Sequence, residues 1–358
     1  MLKNIMRSVL CVVLLLASQM RGGEVSAGQP ATLRNFDGNA GWINSPPLTL
    51  ASLRGKVVLV DFWEYTCINC LRTLPYLREW YRRYHSDGFV IIGVHTPEFR
   101  FSGLQANVAA AVKRLKIAWP VVLDSSDAIW DRYHNTIWPH ELLFDPDGHL
   151  VESIEGEGGY QQTEANIQML LRAAHPQLSL PPVMALLPQD SYDKPGAVCY
   201  PQTAEILVAH HAVANATAFN EPLADTRYID RGTHTDGRVY LQGFWHRTPQ
   251  AVVSGGGPGF LDLAYHAVQL VGVLKSEHGT PVRVDVTQDG NPVPKDDAGR
   301  DIHYDSSGMS FIKVEEPRAY DIVMNAKFGY HTLRLTPQTY GLGVYSFAFE
   351  SCEVPGHT

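Results

Sequence analysis

The chain has 358 residues, 45% hydrophobic and 18% charged, with a formal net charge of -8. That length suggests about two domains, each able to bury a core. The negative balance argues against nucleic acid or an anionic membrane surface as a main partner.

Residues 1–27 have the layout of a secretory signal. Lys3 and Arg7 precede an apolar run from Val9 to Ala17, and Val25-Ser26-Ala27 offers small residues for cleavage. The run is too short for an ordinary transmembrane helix. The expectation is an exported, periplasmic protein, with an uncleaved N-terminal anchor as the alternative. Of five cysteines, Cys11 falls in this leader, and Cys67, Cys70, Cys199 and Cys352 remain. In an oxidising compartment that even number allows two disulfides.

After a leader of turns and short strands, Val57-Val58-Leu59-Val60-Asp61-Phe62-Trp63 reads as a buried strand. Leu71, Leu74, Leu77, Trp80, Tyr81 and Tyr84 then recur at helical spacing, which predicts a helix from Cys67 to about His85. A strand at 89–94, a helix near 103–115, a short strand at 121–123 and a short helix at 126–134 follow. Glu141–Phe144 and Leu150–Ile154 flank Asp145-Pro146-Asp147-Gly148, a hairpin signal. A last helix is expected from about Thr163 to Ala174. This order predicts an α/β domain over 28–175, a mixed sheet flanked by helices. Four prolines and no helical period mark 176–190 as a linker. From 191 to 358 the pattern is period-two, as in Val282, Val284 and Val286, and predicts an all-β sandwich.

Cys67-Ile68-Asn69-Cys70 sits where the first strand turns into a helix, so both thiols fall on one face of the first turn. The positive end of the helix favours a thiolate there. A CxxC pair at such a junction reads as a thioredoxin-like redox site, with a structural disulfide as the plainer alternative. Cys67, at the helix start, is expected to attack a partner disulfide, and Cys70, one turn in, to resolve the mixed disulfide. Asp61 interrupts an apolar strand six residues before Cys67. A carboxylate beneath the pair would take the Cys70 proton, and burial would raise its pKa to suit that task. Otherwise it is a strand-end aspartate facing water. Trp138-Pro139 precedes the hairpin. A cis proline there would lie beside the CxxC and present Trp138 to substrate; an ordinary trans proline is the alternative. Glu64 and Glu98 flank the site as candidates for tuning Cys67, or as loop polarity. The pair alone lacks the four ligands of a structural zinc site, and no metal or organic cofactor is called for.

Val60-Asp61-Phe62-Trp63 before Cys67-x-x-Cys70, with Pro75 and Pro139, resembles the thioredoxin superfamily. Trp63-Glu64-Tyr65-Thr66-Cys67-Ile68-Asn69-Cys70 and Gly93-Val94-His95-Thr96-Pro97-Glu98-Phe99 resemble the periplasmic part of DipZ-type proteins, in the TlpA/ResA-like branch of exported thioredoxins. Cys199-Tyr200-Pro201-Gln202-Thr203, Leu241-Gln242-Gly243-Phe244-Trp245 and Glu316-Pro317-Arg318-Ala319-Tyr320 look like that family's β domain, which is similar to carbohydrate-binding modules. The resemblance implies Cys67 and Cys70 as redox pair, Pro139 as cis proline and Asp61 as the buried acid. It implies reduction or isomerisation of protein disulfides, a separate membrane or exported electron donor, and a glycan at the β domain. Two departures stand out. Thr73 occupies the place where many TlpA-like proteins carry a glutamate, and Trp138 stands where threonine or valine commonly precedes the proline.

Three questions stay open at this level. Cys199 and Cys352 either close the β domain as a disulfide, remain free buried thiols, or form a second redox relay. Trp245, Tyr240 and Tyr345 either stack on sugars or fill the core. The rival functions are a thiol peroxidase, and a non-catalytic glycan- or partner-binding protein whose CxxC is a structural disulfide.

Overall fold

The computed structural model describes residues 30–188, 190, 193–215 and 225–353, without the side chains of His210 and His211. The expected signal at 1–27 lies outside the described residues. Among those described, no helix is long and apolar enough to cross a membrane.

The first unit runs β1 (Trp42–Ile43), α1 (Leu50–Leu53), β2 (Val57–Trp63), α2 (Ile68–Tyr84), β3 (Phe89–His95), α3 (Gln105–Arg114), β4 (Val121–Leu123), α4 (Ala128–Arg132), β5 (His140–Phe144), β6 (Leu150–Glu155) and α5 (Tyr160–Ala174). The sheet order is β1-β4-β3-β2-β5-β6, with β2 parallel to β3 and antiparallel to β5. This is the mixed sheet expected from the sequence. Strand β2 is buried along its whole length, so both of its faces are apolar. Val57, Leu59 and Trp63 pack with Leu74, Leu77 and Trp80 of α2, while Val58, Val60 and Phe62 pack with Ile129 of α4 on the other face. Alternation therefore fixes where Asp61 goes: its odd position points to the α2 face.

Helix α5 begins at Tyr160, earlier than the expected Thr163, because Gly158 and Gly159 take positive φ and turn the chain into it. Among its described residues, the proline-rich segment after α5 has no helix or strand, and it is bound to the first unit. Met184 is buried, its N–H donates to Glu164 Oε2 at 2.8 Å, and the Tyr76 hydroxyl donates to Asp190 Oδ2 at 2.6 Å.

The second unit is an all-β domain. Its longest strands, Phe260–Ser276 and Arg318–Pro337, pair antiparallel through two register irregularities. Strand Phe260–Ser276 pairs along its other edge first with Arg238–Arg247 and then with Leu342–Glu350. Val252–Ser254 pairs with both of those strands, so the four close a ring around an apolar core. Val282, Val284 and Val286 point into that core. Trp245, Tyr240 and Tyr345 are buried, which answers the open question: they are packing residues.

The two units share one apolar cluster that includes Trp63 and Phe101 from the first and Val271, Val273 and Tyr345 from the second. Tyr345 meets Phe99 and Phe101 edge-on, with ring centroids 5.3 and 4.8 Å away. The ladder skips Tyr345 between the pairs Val273–Ser346 and Leu274–Val344. It is the extra residue of a bulge, which re-aims its ring out of the β core.

Candidate active site

Cys67 is the N-cap of α2, in extended backbone, and its sulfur accepts the Cys70 N–H at 3.3 Å. It is half-buried and can meet a partner, whereas Cys70 is fully enclosed. Both thiols are free. Burial pushes the Cys70 thiol well above its ordinary pKa, and the hydrogen bond and charge of Cys67 push it further. The two sulfurs are thus made unlike by position on the helix alone. One is presented and one is withheld.

Glu64 shapes the turn between β2 and α2. Its Oε2 accepts the Thr66 N–H at 2.5 Å, the Thr66 hydroxyl, and the Cys67 N–H at 3.1 Å. These bonds partly offset the burial that raises its pKa. Its other oxygen lies 3.7 Å from His95 Nε2. Burial pushes His95 down to about 3, so the imidazole is neutral and the contact is not an ion pair at neutral pH. Glu98 is half-buried near Glu64 and near Glu205 of the β domain. Burial first, and those two carboxylates second, push it up to about 8.

Asp61 lies on the sheet face under α2, with 0% exposure and no hydrogen-bond partner for either carboxylate oxygen. Burial pushes it up to about 8, and its charge is among the causes that raise Cys70. Its ladder neighbours are Gly93 on β3 and Glu141 on β5. A Cβ on Gly93 would come within 2.9 Å of Trp63 Nε1, so glycine keeps this layer tight. Thr73 is buried and donates to the Cys70 carbonyl at 2.9 Å. Acidity here comes from the sheet and not from α2.

Trp138-Pro139 is cis. The register pairs Phe62 with His140, and one further step sets Pro139 across from Trp63, the last residue of β2. Trp138 packs on Trp130 at 4.5 Å and stays partly exposed. His140 is held between Asn135 and Ser153, and burial pushes it down to about 4, so it too is neutral.

Cys199 and Cys352 are ladder partners joined as a disulfide across the ends of the β domain. A cleft of about 560 Å³ separates α2 from the β domain. It is lined by Ile68, Arg72 and Tyr76 on one wall and by Met324, Glu350 and Cys352 on the other. Sequence reasoning missed Arg72, which bridges this cleft, and Glu141, the buried acid beside Asp61. Glu141 carries the same signal that singled out Asp61, a charge on an apolar strand.

Residues 31–153 match the family described as AhpC/TSA, and residues 203–349 match the thioredoxin-like C-terminal domain. The chain is 32% identical over 321 residues to protein DipZ of Mycobacterium bovis and of Mycobacterium tuberculosis. That match covers 89% of this chain and 43% of each relative, so the chain spans less than half their length. It is 32% identical over 123 residues to the thiol-disulfide oxidoreductase ResA of Bacillus cereus, covering 34% of this chain and 68% of ResA. Among solved structures, a thiol-disulfide isomerase from Corynebacterium glutamicum is similar at 21% identity and a TM-score of 0.37, over 39% of this chain and 95% of that one.

Proposed function

This chain belongs to the thioredoxin-like thiol–disulfide oxidoreductases, and from that premise we propose that Cys67 and Cys70 reduce or isomerise disulfides in exported polypeptides. The observation that carries this reading is the asymmetry of the pair: a presented sulfur at the helix N-cap and an enclosed one a turn later. The Cys67 thiolate attacks a substrate disulfide, forming the mixed disulfide and releasing one substrate thiolate. Cys70 then loses its proton to the buried acid below and attacks Cys67 Sγ. The Cys67–Cys70 bond forms and the second substrate thiolate leaves. Two electrons pass to the substrate, and a donor must return them. Trp138 and Pro139 are where the substrate chain would lie. Export rests on the leader expected at residues 1–27.

Trapping tests this reading. A Cys70→Ala variant should accumulate mixed disulfides on Cys67 with exported proteins, and the native protein should turn over insulin disulfides. Peroxide consumption without insulin reduction would favour the peroxidase instead. The residues do not support that activity: in the Pro-x-x-x-Thr-x-x-Cys pattern of such peroxidases the proline stands seven residues before the cysteine and the threonine three, and those places here hold Val60 and Glu64.

A glycan at the β domain is supported by one feature. Tyr200 stacks on Phe328 at 4.9 Å and Tyr330 on His266 at 4.9 Å, with Tyr330 75% exposed. Such a platform suits sugar rings. A Tyr330→Ala variant should lose retention on an immobilised oligosaccharide if it serves that purpose.

A further inference from the structure

We propose that Asp61 and Glu141 hold one proton between them and together accept the proton of Cys70, Glu141 acting through Asp61 as a positioning residue. The inference rests on Cys70 being the resolving thiol. Asp61 and Glu141 are partners in the antiparallel β2–β5 ladder, so their side chains leave the same face of the sheet about 5 Å apart. Both are buried, and both Asp61 oxygens and Glu141 Oε1 lack a hydrogen-bond partner.

Among the described residues, the groups packed around this pair bring no positive charge. Strand β3 offers Gly93, and α2 offers Cys70. Strand β6 brings Glu152, opposite Leu143 and itself raised by burial, and α5 brings Tyr160, whose hydroxyl feels the charge of Glu141. Among the described residues, no Lys or Arg ion-pairs with Asp61 or Glu141. Two carboxylates in such a place cannot both ionise. Nor can they hydrogen bond to one another until one is protonated. A single shared proton supplies the missing bond and leaves one negative charge.

That charge is a base suited to its task. Taking the Cys70 proton makes both acids neutral, the form a dry site favours, and frees the sulfur to attack Cys67. The Glu141 O–H also steadies the Asp61 carboxylate. A lone Asp61 in the same pocket would therefore ionise at higher pH than the pair does.

The experiment is stopped-flow reaction of the reduced native chain with excess 5,5′-dithiobis(2-nitrobenzoate), at pH values from 5 to 9. The first thionitrobenzoate released reports attack by Cys67. The second reports resolution by Cys70. With Glu141→Leu, the midpoint of the second phase should rise by about one pH unit, and its rate at pH 7 should fall about tenfold with the first phase unchanged. With Glu141→Gln, whose amide still donates to Asp61, the rate should stay within about threefold of native. A midpoint that falls in Glu141→Leu, or does not move, overturns the proposal. If that variant fails to fold, infrared difference spectra of native and Glu141→Gln protein decide. A protonated-carboxyl band altered by Glu141→Gln supports the pair, and an unaltered band refutes it. A native protein with a first phase and no second would overturn both this inference and the assignment of Cys70.

Discussion

Arg72, two residues after Cys70, ion-pairs with Glu350, two residues before Cys352, at 2.8 Å. The same guanidinium reaches Glu157 at 2.9 Å and donates to Gln269 at 2.8 Å. Glu350 in turn accepts the Cys352 N–H at 2.9 Å. One side chain therefore ties the redox helix, the turn between β6 and α5, and the strand end next to Cys352 together. Removing it takes the guanidinium from two mostly buried carboxylates, Glu157 and Glu350. Arg72→Leu should cost about 3 kcal/mol in guanidinium unfolding, because a buried pair broken from one side leaves an uncompensated charge. A loss below about 0.5 kcal/mol would mean that the bridge is ornamental.

Asp61 links stability to pH. Its folded pKa lies above the unfolded value, at about 8 against 3.8, so the folded state holds its proton longer. Its contribution is fully present below pH 3.8 and is lost as pH rises through about 8. Asp61→Asn should therefore match native stability near pH 4 and exceed it by more than about 1 kcal/mol near pH 9. The same variant should slow resolution at pH 7 by roughly a hundredfold. Denaturation midpoints across pH and single-turnover rates check the two halves.

Glu64→Gln keeps a carbonyl acceptor for the Thr66 and Cys67 N–H groups and deletes a carboxyl beside the attacking sulfur. Near pH 8, alkylation of Cys67 by iodoacetamide should be several-fold faster in the variant. The gap should close at acid pH, where native Glu64 is protonated. Equal rates at all pH values would show that Glu64 only shapes the turn.

The Cys199–Cys352 bond closes a sequence separation of 153 residues. Its removal by a double Cys→Ser change should lower stability by about 4–5 kcal/mol in the chain-entropy account, with insulin reduction retained. Loss of activity in a folded double variant would assign this bond a redox part.

Much of this was legible in the chain. Seven buried residues in β2 and the spacing of α2 set the CxxC on a helix start, and the odd position of Asp61 turned it under that helix. Glu141 is, like Asp61, a charge on an apolar strand, but only the register shows it opposite Asp61. The segment 176–190 read as a tether, since leucines spaced by prolines have no period; its attachment depends on Tyr76 and Glu164, which lie far off in sequence. Arg72 and Glu350 are 278 residues apart, and nothing local to either records the other. Tyr345 follows the alternation of its strand until a bulge redirects it, and a bulge depends on the partner strand as well.

As proposed, Cys67 and Cys70 form a redox couple that reduces or isomerises substrate disulfides. Equilibration of the pair with dithiothreitol buffers, with Cys67→Ala as control, tests it most directly. A potential near that of thioredoxin, about -270 mV, is expected for a reductant. A pair that stays oxidised well below about -300 mV would contradict the account and mark the bond as structural.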